Sequence, residues 1–423
     1  MRNSKHSMKE IGLSAAALCL TLLLGACSYD AGSYYGDSEP STEGGSSDKG
    51  GGVNGTEGNG GGQAGVVTAA EWNDLNNWTF WSDLMTSQEY AAKSDYWGFY
   101  TNNRVAVEVT LSDGKPAVGA VVELKAPDAQ GAESLIWSAV TDNKGAAELW
   151  GGLFKKELTD AASLRLYIDG VAQQGSPAVT PWIPTGTNEQ ATVQLNKYSV
   201  SAVRNTITNT ADIAFIVDAT GSMGDEIAFL QADLVDIIGK VEQQNNATTL
   251  RTAALFYRDE FDKNANGSDY GTPFSNFASQ LAITSDFIAK QSAAGGGDIP
   301  EAVHTALSST LNALSWNAEA RTRIAFLILD APPHYTKDII DDIHASVTSF
   351  AARGIKLIPV AASGVDKNTE FLLRDFAIAT SGTYVFLTDD SGVGNSHLTP
   401  SVGKYDVELL NALLVRLIDK YIE

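Results

Sequence analysis

The chain has 423 residues, of which 43% are hydrophobic, so it is long enough to form two or three globular domains. Asp and Glu outnumber Lys and Arg by 51 to 29, and the formal net charge is −22. This charge argues against nucleic acid or an anionic membrane surface as a partner, because both require cationic patches. It is compatible with cation binding, or simply with the solubility of an exported protein.

The N-terminus has the pattern of an export signal. Basic residues precede a short apolar stretch, residues 11–26, which is short for a membrane-spanning helix. The stretch ends in LLGAC, which resembles the lipobox of bacterial lipoproteins. The resemblance implies that residues 1–26 are a signal peptide and that Cys27 is lipidated. An uncleaved anchor and an ordinary signal peptide are the alternatives.

Two further segments precede the predicted domains. Residues 27–68 are rich in glycine and serine, cannot bury a core, and are predicted to be a flexible tether. Residues 69–101 are rich in aromatic side chains and are predicted to be a lead-in, with a short helix, that packs on the core that follows. Carbohydrate stacking is the alternative for these aromatic residues.

Residues 102–198 have short runs of alternating hydrophobicity, separated by turns such as SDGKP and DNKG. This pattern predicts an antiparallel β-sandwich. The segments DGKPAVGAVVEL and TDNKGAAELW resemble carboxypeptidase-regulatory-like and related Ig-like domains. No catalytic cluster is present here, so a spacer or a weak binding module is expected.

Residues 205–423 alternate apolar runs of strand length, such as IAFIVD, RTAALFYRD and RIAFLILD, with segments of helical periodicity. This alternation predicts an α/β fold with a doubly wound, mostly parallel, Rossmann-like sheet, preceded by the smaller all-β sandwich domain.

Oxygen-bearing side chains follow several of the predicted strands. Asp218, Thr220 and Ser222 follow the first strand, Asp330 follows a later one, and Asp298 precedes a helix. Because the carboxyl ends of parallel strands meet at one edge of a sheet, we expect these residues to converge. Carboxylates and hydroxyls without cysteine or converging histidines predict a site for Mg²⁺ or Mn²⁺, with Ca²⁺ as an alternative.

The motif DATGSM (218–223) resembles the Asp-x-Ser/Thr-x-Ser motif of the von Willebrand factor A (vWA) domain. The segments FYRDEFD, GGGDIPEAVHTAL and LDAPPHY are similar to a bacterial subgroup that is also related to the A domains of some α-kinases. The resemblance implies a metal-ion-dependent adhesion site (MIDAS) with Asp218, Thr220, Ser222 and Asp330 at metal-site positions. Where the family usually offers a threonine, this chain offers Asp298. The extra carboxylate should hold the ion more firmly and attract a ligand carboxylate less well.

The same residues fit four further interpretations. Asp residues at strand ends commonly cap the next helix, and this explains Asp298 nearly as well. TGSMG is one residue short of a nucleophile elbow, so Ser222 with Asp330 and His397 could form the triad of a serine hydrolase. The chain could also be a metal-assisted hydrolase, or a structural domain whose site is idle.

A second stretch, DKNANGSD, follows the first half of a calcium loop, with Asp262, Asn264, Asn266 and Asp269 as candidate ligands. Pro273 stands where the bidentate Glu belongs. A plain hairpin is the alternative.

Taken together, these patterns predict a lipid-anchored protein of the bacterial cell envelope, at the cell surface or in the periplasm. We expect it to bind a divalent cation and, through it, a protein or glycan partner outside the cytoplasm. We expect no enzymatic activity, no nucleic-acid partner, and membrane attachment only through the N-terminal lipid.

Overall fold

A computed structural model describes residues 67–128, 130–180, 192–297, 299–391 and 397–423. The predicted signal peptide, Cys27, nearly all of the tether, and Asp298 lie outside these residues. The described residues belong to one compact unit. The predicted domain limits, 102–198 and 205–423, remain a prediction.

The described residues form fifteen strands and eight α-helices. The strands are β1 (Thr68–Trp72), β2 (Asn102–Leu111), β3 (Val121–Pro127), β4 (Glu133–Val140), β5 (Ala146–Gly152), β6 (Arg165–Ile168), β7 (Val171–Ala172), β8 (Leu195–Val200), β9 (Thr208–Asp218), β10 (Thr249–Tyr257), β11 (Phe274–Ala278), β12 (Ala320–Leu329), β13 (Lys356–Ala361), β14 (Tyr384–Leu387) and β15 (Glu408–Leu409). The helices are α1 (Trp78–Met85), α2 (Gln88–Trp97), α3 (Gly224–Gln244), α4 (Leu281–Ile288), α5 (Val303–Ala313), α6 (Lys337–Ala352), α7 (Lys367–Thr380) and α8 (Leu410–Ile422).

The main sheet is mixed, and the predicted doubly wound, mostly parallel sheet is wrong. Eight strands lie in the order β11-β10-β9-β12-β13-β14-β1-β15. The pairs from β10 to β14 are parallel, but β11 pairs antiparallel with β10, and β1 pairs antiparallel with both β14 and β15. The physical reason is that β1 comes from residues ahead of the small sheets, in the segment predicted to be a lead-in. Its pairing partners lie more than 300 positions later in the chain.

The central strands are buried on both faces, which is why they read as continuous apolar runs rather than alternating ones. In β9, Phe215 and Val217 pack in a core with α3 and α8, while the intervening Ile216 belongs to the core formed with α5, α6 and α7. Helices therefore cover both faces of the mixed sheet. The parallel strands at the centre of this sheet all have their carboxyl ends at the same edge of the sheet.

The all-β part of the chain forms two small sheets, one of three strands (β5-β2-β8) and one of four (β4-β3-β6-β7). The predicted antiparallel arrangement does not hold throughout, because β2 pairs parallel with β8. The small sheets share one hydrophobic core with α6 and α7, so they are not a separate layer in front of the main fold. Aromatic residues join the parts: Trp78 packs on Trp150, and Trp81 stacks on Phe371, each with ring centroids 5.8 Å apart.

Candidate metal centre

The first candidate residues lie where β9 ends. Asp218 is the last residue of this strand and is fully buried. Its Oδ1 accepts hydrogen bonds from the backbone N–H of Thr220 (2.9 Å) and from the Thr220 hydroxyl (2.8 Å), whereas its Oδ2 has no partner. A short 3₁₀ turn, Gly221–Met223, then leads into α3. The buried Tyr257 hydroxyl lies beside this carboxyl group and acts to lower its pKa, so the turn presents a buried carboxylate whose Oδ2 lacks a hydrogen bond of normal geometry among the described residues.

Asp330 follows the neighbouring strand β12, which pairs parallel with β9. The Ser222 hydroxyl hydrogen-bonds to the Asp330 carboxyl, and burial raises the pKa of Asp330 more than this bond lowers it. Asp330 is buried, and in the part of the chain that the structure describes its Oδ1 has no hydrogen-bond partner. The structure thus brings together Asp218, Thr220, Ser222 and Asp330, as the spacing predicts.

The structure adds a carboxylate that the sequence analysis did not include. Glu301 is 3% exposed, its backbone N–H donates to the Pro332 carbonyl (2.9 Å), and its Oε2 has no hydrogen-bond partner among the described residues. Burial raises the pKa of Glu301 to about 9, and the nearby charges of Asp218 and Asp330 contribute to this rise. The sequence segment GGGDIPE could have indicated this carboxylate, because Glu301 follows Asp298 by three residues.

Two glycines, Gly295 and Gly296, allow the loop that precedes Glu301 to approach the turn after β9. The Gly221 N–H donates to the Gly295 carbonyl (3.2 Å), and Gly295 and Gly296 have φ of +77° and +72°. A Cβ on Gly296 would lie 3.3 Å from both Thr220 and the Glu301 carboxylate. Asp262 reinforces the contact, since its Oδ2 accepts from the Gly296 N–H (3.0 Å). Glycine at 296 therefore permits Glu301 and Thr220 to lie side by side.

The electrostatics of this acidic cluster (Asp218, Thr220, Ser222, Glu301 and Asp330) disfavour ionised carboxylates. Burial raises the pKa of Asp218 to about 7, against its hydrogen bonds from Thr220, and the Asp330 charge raises it further. Glu226, in the first turn of α3, also has its pKa raised to about 7, mainly by burial and then by the charges of Asp330 and Asp225. A positive charge in the cluster would relieve this repulsion.

The fit of the cluster to a divalent cation depends on its donor types. Within the described ranges, no group of three or more His, Cys, Asp and Glu residues is arranged to hold a metal ion. The donor types nevertheless fit a hard cation, because buried carboxylate oxygens of Asp218, Glu301 and Asp330 lack partners and hydroxyls of Thr220 and Ser222 lie beside them. Asp298, the remaining predicted ligand, is not among the described residues.

The predicted calcium loop has the geometry of the hairpin alternative. Lys263 and Asp269 form an antiparallel bridge and an ion pair across it. The Asn266 Oδ1 accepts from the Ser268 N–H (3.0 Å) and hydroxyl (2.8 Å), and the Asn264 amide donates to the Asp269 carbonyl (2.9 Å). The candidate ligands are thus engaged within the loop, and Asp262 points instead to Gly296.

The histidine of the hydrolase alternative lies elsewhere. His397 Nδ1 is 2.8 Å from Asp389 Oδ1, and its side chain lines a small apolar pocket together with Asp225 and Glu226. Among the described residues, no histidine is hydrogen-bonded to Ser222 or Asp330. His334 pairs with Asp259 at 2.6 Å. The arrangement therefore does not assemble a Ser-His-Asp triad.

Comparison with known proteins gives partial similarities. No family model matches the chain. An ariadne-like RING finger protein of Acanthamoeba polyphaga mimivirus is 30% identical over 139 residues, which is 33% of this chain and 13% of that protein. The α-protein kinase vwkA of Dictyostelium discoideum is 24% identical over 198 residues, which is 46% of this chain and 30% of that protein. The chain thus matches less than a third of the length of either relative.

Solved structures are related only distantly. The pilus adhesin SpaC of Lactobacillus rhamnosus GG aligns with a TM-score of 0.35 and 12% identity, over 52% of this chain and 31% of the adhesin. Proximal thread matrix protein 1 of the mussel byssus aligns with a TM-score of 0.34 and 11% identity, over 53% of this chain and 54% of that protein. Within the described part of the chain, no helix combines the length and the apolar character needed to span a membrane.

Proposed function

We propose that the chain binds a divalent cation, Mg²⁺ or Mn²⁺ with Ca²⁺ as an alternative, at the acidic cluster. Asp218, Glu301 and Asp330 would supply carboxylate oxygens, and Thr220 and Ser222 hydroxyl oxygens. Asp298 keeps its predicted place as a further ligand. A bound cation would offer its free coordination positions to an oxygen atom of a partner. The function would be recognition rather than catalysis.

One observation carries this proposal. Three buried carboxyl groups, each with an oxygen that lacks a hydrogen-bond partner within the described ranges, lie close enough for the Asp330 charge to raise the pKa of both Asp218 and Glu301. Burying carboxylates without partners is unfavourable, and it is tolerated where a proton or a cation compensates them. Hydroxyl groups beside carboxylates suit a hard cation rather than a buried structural acid pair.

The partner and the location belong to the same proposal and rest on the resemblance of DATGSM and its companion segments to vWA domains. We propose that the partner is a protein or a glycan outside the cytoplasm, and that the chain is held at the bacterial cell envelope by a lipid on Cys27. The carboxylate-rich cluster favours a neutral or cationic ligand group over a carboxylate, because the donors outnumber the two charges of the cation.

Calorimetric titration of Mg²⁺, Mn²⁺ and Ca²⁺ into the full chain tests the metal site. Wild type is compared with Asp218→Asn and Glu301→Gln, which keep the shape of the side chains. Loss of an outer partner of a metal ligand costs about 10–100-fold in affinity, so removing a ligand charge should cost more than about 100-fold. The matched control is Asp236→Asn on α3, where an exposed carboxylate pairs with Lys240.

Equal, saturable binding in all four proteins would place the cation elsewhere, and no binding in any of them would contradict the proposal. The partner step is tested separately, by binding the chain to glycan and bacterial surface-protein arrays in Mg²⁺ and in EDTA. Binding that survives EDTA and the Asp218→Asn change would contradict recognition through the cation.

A further inference from the structure

A pocket of about 240 Å³ with a mixed polar and apolar lining lies at the opposite edge of the main sheet from the acidic cluster. Lys356, the first residue of β13, lines it, whereas the acidic cluster lies at the carboxyl ends of β9 and β12. The remaining wall comes from the segment after β1, from the turn before β5, and from the end of α8, including Lys420 and Tyr421. Segments far apart in the chain therefore build this pocket.

The pocket is lined by more cationic than anionic side chains, with Lys144, Lys356 and Lys420 against Asp142 and Glu148. Its two carboxylates are already paired: Asp142 with Lys356 at 3.1 Å, and Glu148 with Arg104 at 2.7 Å. Lys144 is exposed, and no carboxylate of the described residues lies within ion-pair distance of it. This is a local excess of cation in a chain with a net charge of −22.

Lys420 is a second cation of the pocket, and its ion pair with Glu71 is a long one. Its Nζ lies 3.9 Å from Glu71 Oε2, which is too long for a hydrogen bond, and Glu71 already pairs with Arg416 at 2.7 Å. Burial lowers the pKa of Lys420, and the charges of Arg416, Lys144 and Lys356 lower it further while Glu71 opposes them. An anion beside Lys144 and Lys420 would therefore meet one charge without an ion pair among the described residues and one whose carboxylate partner is shared with Arg416.

The pocket also offers groups that suit hydroxyls. Asp142 and Glu148 can accept further hydrogen bonds, and the exposed Asn76 amide can donate or accept. Asn143 holds the wall together, since its Nδ2 donates to the Lys420 carbonyl (3.2 Å). The volume is below the range of about 300–1,000 Å³ typical of drug-sized ligands, so a single ring is the appropriate size.

We propose that this pocket binds an anionic sugar residue of the uronic acid type. The sugar carboxylate would lie against Lys144 and Lys420, and its hydroxyls would bond to Asn76, Asp142 and Glu148. The mixed lining favours a uronic acid. The carboxylates of Asp142 and Glu148 repel a compact dianion such as phosphate, but they can accept hydrogen bonds from the hydroxyls of a sugar that carries a single negative charge. The proposal is independent of the acidic cluster.

Titration of D-glucuronate into the full chain, followed by calorimetry, tests the proposal, with glucose and inorganic phosphate as the comparison ligands. We expect saturable glucuronate binding, with glucose and phosphate at least about tenfold weaker, the difference expected for losing one charge-assisted hydrogen bond. Lys144→Met, in an exposed turn, should weaken glucuronate about tenfold or more without changing the melting temperature. Lys420→Met should do the same.

Lys115→Met is the matched control, because Lys115 is exposed in another turn and is paired with Asp113. It should bind glucuronate like wild type, as should Asp218→Asn, which removes the proposed cation site. Phosphate binding as tight as glucuronate, glucose binding equally well, or unchanged affinity in Lys144→Met would each overturn the proposal, as would the absence of glucuronate binding.

Discussion

Arg374 shows how single residues join distant parts of this chain. Its guanidinium is fully buried and donates to both oxygens of Asp74, at 2.9 and 2.6 Å, and to the Ser401 carbonyl at 2.8 Å. It also lies over the Trp81 ring, 4.8 Å from the centroid. Arg374 is on α7 and Asp74 follows β1, so this pair joins the segment before the small sheets to a helix near the C-terminus.

Asp74→Asn should reduce the free energy of unfolding by about 3–5 kcal/mol, because it removes the carboxylate that makes two hydrogen bonds to Arg374 and leaves only the more distant Glu370, 3.9 Å away among the described residues, to balance the buried charge. Urea unfolding measures this loss. Breaking the exposed pair of Asp236 and Lys240 with Asp236→Asn is the control and should cost less than about 1 kcal/mol. Equal losses in the two variants would mean that the buried pair contributes nothing beyond a surface pair.

Asp212 predicts a pH dependence away from the acidic cluster. It is fully buried on β9, its Oδ2 accepts from the Asn317 N–H (2.6 Å), and burial raises its pKa to about 6 against that bond and the charges of Arg251 and Arg323. In the unfolded chain the pKa of this carboxyl lies near its ordinary value of 3.8. Between these values the folded state holds a proton that the unfolded state lacks, so stability falls as pH rises through this window.

Asp212→Asn removes this titration. Relative to wild type, the variant should gain up to about 3 kcal/mol in the free energy of unfolding between pH 4 and pH 7, since each pKa unit corresponds to about 1.4 kcal/mol. Urea unfolding of both proteins at the two pH values isolates the effect, because every other group is shared. A stability difference that stays constant with pH would contradict the assignment.

Strand β1 has an interior position in the main sheet, although it is short and was not predicted as a strand. It is five residues long, yet it pairs with β14 on one side and β15 on the other. Ala69 and Ala70 are fully buried and contribute to the cores on the two faces of the sheet. A short alanine-containing strand thus occupies an interior position rather than an edge.

Ala70→Glu should lower the free energy of unfolding by at least about 3 kcal/mol, because it places an unpaired carboxylate in a core without room for it. Thermal or urea unfolding measures the change. Ala172→Glu, at an exposed position of β7, is the control and should change stability by less than about 0.5 kcal/mol. If both variants behaved alike, β1 would not occupy the interior of the sheet.

At the scale of the whole molecule, the small sheets and the main sheet depend on each other. One hydrophobic core runs from Val107 of β2 through Trp81 of α1 to Phe371 of α7. A chain that begins at residue 205 lacks this core's upstream half and also lacks β1, which leaves β14 as an unpaired edge. Dependence of this kind predicts cooperative unfolding of the described residues.

Scanning calorimetry tests this dependence. A fragment of residues 67–423 should melt in one transition, whereas residues 205–423 alone should melt at least about 10 °C lower or aggregate, because a loss of several kcal/mol shifts the melting temperature by a few degrees per kcal/mol. A sharp transition of 205–423 at the temperature of the longer fragment would show instead that the segment is an autonomous domain.

Much of the local structure could be predicted from the sequence. Strands lie at the apolar runs IAFIVD, RTAALFYRD and RIAFLILD predicted in 205–423, and helices lie between them, because a doubly buried strand and an amphipathic helix each leave a local pattern. Asp218 and Asp330 follow neighbouring strands for the same reason. These features depend on the residues within a single element.

The remaining features depend on contacts between distant parts of the chain. Local patterns in the sequence are enough to show which segments are strands or helices and which oxygen-bearing side chains follow them. They do not show that residues 68–72 pair with residues 384–387, which makes the sheet mixed, nor that Glu301 lies beside Asp218. Such pairings arise from hydrogen bonds and burial between residues far apart in the chain, and a short segment such as TAAEW carries no periodic signal of its partner.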